Sequence, residues 1–241
     1  MSLFDLTGKV ALITGSTKGI GLAIASRMAE AGARVVISSR NQDACDEVAA
    51  QINAGGGHAV AIACNINYKE QLQHLVNKTV ELLGTIDILV CNAALNPHYG
   101  PSQGIPDEAF DKILNANIGS AHRLCQLVLP AMAEKGGGAV VIVSSIAGLK
   151  GSNVLGAYGI SKAADMQLAR NLAVEWGPKN IRVNCINPGA VQTRLRNLAY
   201  PGESQEKLAQ PEQLMHEYVR LMGPGGKGIT GQGIDVEPKE G

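Results

Sequence analysis

Short, almost unbroken apolar runs alternate along the chain with longer segments in which apolar residues return every three or four positions. The runs cover 10–14, 34–38, 59–63, 86–90, 139–143 and 181–186. A strand without polar alternation is one covered on both faces. Helical periodicity fills the gaps, at 20–31, 42–53, 69–83, in two pieces across 107–135, and at 157–176. Strict alternation predicts an α/β fold built on a single doubly wound parallel sheet, with helices on both faces and right-handed crossovers. Asn41 is placed to cap the second helix, and Gly55-Gly56-Gly57 to stop it. Towards the end the pattern weakens. Residues 195–210 are polar and mixed, as in a mobile loop or short helix; a helix follows over 211–221 and a last strand over 231–236. No linker or repeat divides residues 1–241, which read as one domain.

Composition narrows the partners. The 241 residues carry 21 Lys and Arg against 21 Asp and Glu, so no basic field gathers nucleic acid, and aromatic residues, at 3%, are too few for a base-stacking platform. The five cysteines are widely spaced and form no Cys-x-x-Cys pair, as expected of reduced thiols in a core. Acidic Asp5 stands where a signal peptide would be apolar, and no run approaches the ~18 apolar residues of a membrane span. The expectation is a cytoplasmic protein with a small-molecule partner, no membrane and no nucleic acid.

Two chemical signals stand on this pattern. Gly15, Gly19 and Gly21 follow the first strand and open the first helix, where backbone amides and a helix N-terminus can meet a pyrophosphate. That makes the sheet Rossmann-type, with Thr17, Lys18 and Ile20 in the same loop. A carboxylate after the second strand would hold the ribose hydroxyls of NAD, but Ser39 and Arg40 stand there instead. A 2′-phosphate prefers a guanidinium, and Lys18 adds a second cation, so the cofactor is read as NADP(H); a merely solvated Arg40 is the alternative. Asn65 and Ile66 after the third strand, and Asn92, Ala93 and Ala94 after the fourth, border the crevice, Asn65 being placed to accept from an adenine amino group.

The second signal is Tyr158 and Lys162, four residues apart on one helix face, with Ser145 upstream at the end of a buried strand. A free phenol titrates near pH ~10, and a nearby ammonium lowers that value toward the range of general acid–base work. Taken alone, Tyr-x-x-x-Lys is also a common surface pair.

Together, Thr14-Gly15-x-x-x-Gly19-x-Gly21, Asn92-Ala93, Asn117, Ser145, Tyr158-x-x-x-Lys162 and Asn187-Pro188-Gly189 resemble the short-chain dehydrogenase/reductase family in order and spacing. The wording from Asn92 to Pro97 resembles its NADP-dependent carbonyl and retinol reductases. The resemblance implies that Tyr158 exchanges a proton with the substrate oxygen, that Ser145 holds that oxygen, and that Lys162 binds the nicotinamide ribose and tunes the phenol. It implies that Asn117 positions a relay water, that Pro188, Gly189, Val191 and Thr193 bracket the nicotinamide, and that no metal takes part. It also implies a homodimer or homotetramer, although Ile234-Asp235-Val236-Glu237-Pro238 departs from the usual terminal strand. Residues 191–210 form a substrate lid shorter than is usual. Asn96, His98, Tyr99, Leu149, Asn153, Val154, Leu155, Leu195 and Leu198 are expected to line the substrate pocket. The activity implied is hydride transfer between nicotinamide and a ketone, aldehyde or secondary alcohol. A 3-oxoacyl-thioester reductase and a non-catalytic dinucleotide-binding regulator are the alternatives.

Overall fold

Val10, Ala11, Leu12 and Ile13 expose no surface, and their side chains alternate between two separate apolar cores. A strand buried on both faces belongs in the middle of a covered sheet, and that is where this one lies. The computed structural model describes residues 4–236. Its strands are β1 (Val10–Thr14), β2 (Arg34–Ser38), β3 (His58–Ala61), β4 (Ile88–Cys91), β5 (Gly138–Val143), β6 (Ile181–Pro188) and β7 (Gly233–Val236). They form one sheet in the order β3-β2-β1-β4-β5-β6-β7, each neighbouring pair parallel.

The helices are α1 (Gly19–Glu30), α2 (Gln42–Ala54), α3 (Lys69–Leu83), α4 (Asp107–Leu114), α5 (Ser120–Glu134), α6 (Gly156–Trp176), α7 (Arg194–Ala199) and α8 (Met215–Met222). One core joins Val10, Leu12, Leu89 and Val140 to side chains of α3, α5 and α6; the other joins Ala11, Ile13, Val90 and Val141 to α1, α2 and α8. β1 has β2 on one side and β4 on the other. At such a reversal of strand order the connections diverge and leave a crevice beyond the carboxyl ends of the strands.

The alternation, the parallel sheet and its two covered faces agree with the sequence pattern. Asn41 caps α2 by accepting from Ala44 N at 3.0 Å, and Gly55 ends it. Boundaries differ where polar groups pin the backbone. β4 begins two residues later than its apolar run, because the Asp87 carboxylate accepts from Val10 N (2.9 Å) and pairs with Lys135 (2.8 Å), fixing the lead-in before the ladder starts. β3 spans His58–Ala61 rather than 59–63, and β7 starts at Gly233 rather than 231. The two pieces across 107–135 are joined by a π-helical stretch, Asn115–Gly119. Residues 195–210 contain α7 and a short 3-10 turn, and Val191 and Ala209 form a parallel bridge across their base. Glu237 and Pro238 lie outside the described residues.

Candidate active site

A cleft of about 1220 Å3 follows the carboxyl ends of the strands, from the loop after β1 to Tyr200 just beyond α7. Its first half is a backbone cradle. Gly15 and Gly19 have φ of +68° and +55°, a region that L side chains rarely adopt. Gly21 is required by space: a Cβ there would lie 2.2 Å from the Gly15 carbonyl oxygen and 2.5 Å from Asn92 Nδ2. The loop is tied from below. Gly15 N and Ser16 N donate to Ser38 O at 2.8 and 3.1 Å, and Asn92 Nδ2 donates to Thr14 O and Gly15 O at 2.9 and 3.2 Å. Thr14 Oγ1 accepts from the amides of Asn92 and Ala93, both at 3.1 Å. These ties leave the N-terminal turn of α1 on the cleft wall, with Thr17, Lys18, Gly19, Ile20 and Gly21. The pyrophosphate of a dinucleotide fits such a cradle.

Ser39, Arg40, Asn65, Ile66, Asn92, Ala93 and Ala94 continue the wall, and Pro188, Gly189, Val191 and Thr193 close it from β6. Lys18 and Arg40 are exposed and form no ion pair among the described residues. Asn65 is on the wall, yet its Oδ1 already accepts from Asn67 N (3.2 Å) and Nδ2 (3.0 Å), so that acceptor is engaged inside its own loop.

In the second half, Ser145, Tyr158 and Lys162 share the wall. β5 delivers Ser145, whose Oγ accepts from Ala147 N at 3.1 Å. One helical turn along α6, Lys162 Nζ stands 5.6 Å from the centre of the Tyr158 ring. Both side chains are buried. Burial pushes the phenol above its ordinary range, the Lys162 ammonium pulls it back, the Asp165 carboxylate adds to the rise, and Ser145 lowers it by the smallest amount. The net direction is upward, so the lowering expected from lysine alone is outweighed by desolvation. The phenol therefore keeps its proton near neutrality. If this phenol exchanges a proton with a substrate oxygen, alcohol oxidation should keep accelerating above pH ~9 while carbonyl reduction stays flat between pH ~6 and ~8. Profiles of kcat/KM in both directions check this; a plateau in oxidation near neutrality would contradict it.

Asn117 is not on the cleft wall. It sits in the π-helical stretch behind it, where Oδ1 accepts from Leu95 N (2.9 Å) and Nδ2 donates to Leu95 O (3.1 Å) and Ser161 Oγ (2.9 Å). Its side chain thus fastens the loop after β4 to α6. Leu155, Asn153 and Leu195 line the cleft as expected, but Asn96, His98, Tyr99, Val154 and the exposed Leu149 and Leu198 do not. The sequence reading passed over Asn67, Gln192, Arg196 and Tyr200, which also line it. Only the last three carry a signal, through their place in the lid. It passed over Asp165 as well, a carboxylate on an otherwise apolar face of α6, paired with Lys162 Nζ at 3.0 Å.

Six cations, Lys18, Arg40, Lys150, Lys162, Arg194 and Arg196, line the cleft, and no Asp or Glu among the described residues does, although Lys162 and Arg196 are paired with Asp165 and Glu203. In a chain of zero net charge, that partition is directed at an anionic ligand. Among the described residues no group of three or more His, Cys, Asp or Glu is placed to hold a metal ion, and no helix is long and apolar enough to cross a membrane.

A glycine cradle at the switch point of a parallel sheet, with a buried Ser-Tyr-Lys wall beside it, defines the nicotinamide-dependent oxidoreductase class. The comparisons with known proteins agree. Residues 9–203 match the family model described as short chain dehydrogenase. Dehydrogenase/reductase SDR family member 4 of Oryctolagus cuniculus is 39% identical over 241 residues, covering 96% of this chain and 93% of that protein. A 7α-hydroxysteroid dehydrogenase solved with NADH and 7-oxo glycochenodeoxycholic acid superposes with a TM-score of 0.91 at 35% identity, covering 98% of this chain and 95% of the other. A hydroxysteroid dehydrogenase of Escherichia coli gives a TM-score of 0.88 at 36% identity, covering 99% of each chain. The chain belongs to the short-chain dehydrogenase/reductase family.

Proposed function

We propose that this protein is an NADP(H)-dependent oxidoreductase that interconverts a ketone or aldehyde and a secondary or primary alcohol, acting as one catalytic domain. The observation that carries the reading is the shared wall of Ser145, Tyr158 and Lys162 in the same cleft as the glycine cradle. A bound nicotinamide supplies or accepts the hydride; the chain's own residues handle the proton and the geometry. Tyr158 Oη donates a proton to the carbonyl oxygen in reduction and takes it back in oxidation. Ser145 Oγ holds that oxygen beside the phenol, and the Lys162 ammonium stabilises the phenolate left behind. Asn117 acts in this scheme by holding the loop after β4 against α6.

Lys18 and Arg40, exposed at the adenosine end without carboxylate partners, support NADP(H). The bile-acid relative was solved with NADH, so likeness of fold does not choose between the two cofactors. A charge-assisted hydrogen bond contributes about 1.5–3 kcal/mol, and each 1.4 kcal/mol is tenfold. Arg40→Asp should therefore lower the preference for NADPH over NADH by about 10–100-fold, read as the ratio of kcat/KM values. A wild-type preference for NADH would remove this cofactor assignment. The substrate is identified by a carbonyl panel followed through NADPH absorbance.

A second reading, reduction of a 3-oxoacyl thioester, is favoured by Lys150 and Arg194, exposed cations on the cleft wall without ion-pair partners among the described residues. A panel that includes acyl thioesters separates the two.

A further inference from the structure

Lys162 has more protein partners than its part in proton exchange needs. A charged Nζ carries three N–H groups. One donates to Val143 O at 2.8 Å and a second to Asp165 Oδ2 at 3.0 Å. One remains for the cleft that the side chain lines. Asp165 is itself 1% exposed, and its Oδ1 has no hydrogen-bond partner. A buried ion pair contributes little net stability, and an unmet carboxylate oxygen costs some. An apolar residue would suit the neighbourhood better, since Met166, Ala169 and Leu172 of the same helix enter the apolar core. Stability therefore does not account for an acid at this position.

We propose that Asp165 is a positioning residue, a buried counter-ion that keeps Lys162 charged and aims its one uncommitted N–H into the cofactor cleft. This rests on the catalytic roles proposed above for Tyr158 and Lys162. The other groups that act on Lys162 are a phenol and a thiol. Tyr158 faces the pair from α6, Cys91 from β4 and Cys185 from β6; Cys125 of α5 acts on Cys91, and Tyr99, Arg170 and Tyr218 lie beyond, acting on Tyr158 or Cys185. The Cys91 thiol is pushed up by its hydrogen bond with Cys125 and by burial, and the Cys185 thiol by burial, so neither brings a charge near neutrality. Burial, the largest single influence, works to lower the Lys162 ammonium; the Asp165 carboxylate leads the groups that raise it, with Tyr158 and Cys185 behind, and together they leave the lysine above its ordinary range. Burial likewise pushes Asp165 up while Lys162 pulls it down. The 3.0 Å contact and the Val143 carbonyl, which can only accept, favour the ionised pair. Without the counter-ion, desolvation favours a neutral amine, which cannot stabilise a phenolate.

The experiment follows Lys162 Nζ by ¹⁵N NMR in lysine-labelled protein without cofactor, the signal being assigned by its loss in Lys162→Met. In the wild type the ammonium should persist beyond pH ~10, and in Asp165→Asn it should deprotonate at least about one pH unit lower. The pH limb of alcohol oxidation should move to higher pH in the variant, because the phenol loses the ammonium that lowers it, a larger effect than losing the Asp165 carboxylate that raises it. A wild-type lysine that loses its proton below pH ~9 overturns the proposal. So does an unmoved lysine titration in Asp165→Asn, or a limb that stays put or moves to lower pH. The wild-type measurement needs no variant to fold. The NMR titration needs no turnover, so a protein silent on every carbonyl would sink the proposed activity while leaving the counter-ion claim to be judged by itself.

Discussion

Tyr158→Phe is expected to bind NADPH within about threefold of wild type and to lose turnover by about 10²–10⁴-fold, the usual worth of a placed general acid. The substitution removes one oxygen from a ring that is 7% exposed and otherwise held by packing against Leu155 and Ala199, so the wall should keep its shape. What disappears is the hydroxyl proposed to donate the proton, which the nearby Lys162 ammonium makes easier to ionise. Calorimetry on the cofactor and initial rates on any substrate found in the panel separate binding from chemistry. Turnover within tenfold of wild type would take the phenol out of the mechanism and with it the proposed activity.

Gly21→Ala should be the most damaging single change on the cofactor side. The added methyl would fall 2.2 Å from a carbonyl oxygen of the loop and 2.5 Å from the Asn92 amide that clamps it. Neither is a flexible side-chain tip, because Asn92 is fixed by two hydrogen bonds to the same loop. Overpacking of this kind costs about 1–3 kcal/mol of stability. The cradle must also open, so if half the strain is borne at the phosphate site NADPH affinity should fall by about 2–10-fold. Thermal unfolding and a cofactor titration measure the two parts; a variant with wild-type affinity would show that the pyrophosphate does not sit against this turn.

Much of this was open to reading before any coordinates. Apolar runs at 10–14 and 34–38 admit only strands covered on both faces, and glycine at 15, 19 and 21 marks a turn that only glycine can make. The Tyr158 and Lys162 spacing places both on one helix face whatever lies around them. What escaped the reading depends on contacts between distant segments. That Asn117 faces Leu95 and Ser161 instead of the cleft follows from a π-helical stretch, which has no periodic signature of its own. The upward shift of the Tyr158 phenol depends on how deeply the fold buries it, and residue types do not carry depth. Asp165 was the exception, since an acid three positions after Lys162 could have been recognised as its partner from helical geometry alone.

The segment from Val191 to Ala209, whose first half lines the cleft, is latched by its own contacts. Arg196 grips Glu203 through two hydrogen bonds of 2.7 and 2.6 Å, its guanidinium lies 4.0 Å from the centre of the Tyr200 ring, and the Val191–Ala209 bridge closes the base. Such a cover has surrendered most of its conformational freedom during folding, so an arriving molecule is spared much of the ordering cost that a floppy flap would impose. Compact guests with few contacts to offer stand to gain most from that arrangement, and selectivity then falls to the fixed outline of the opening.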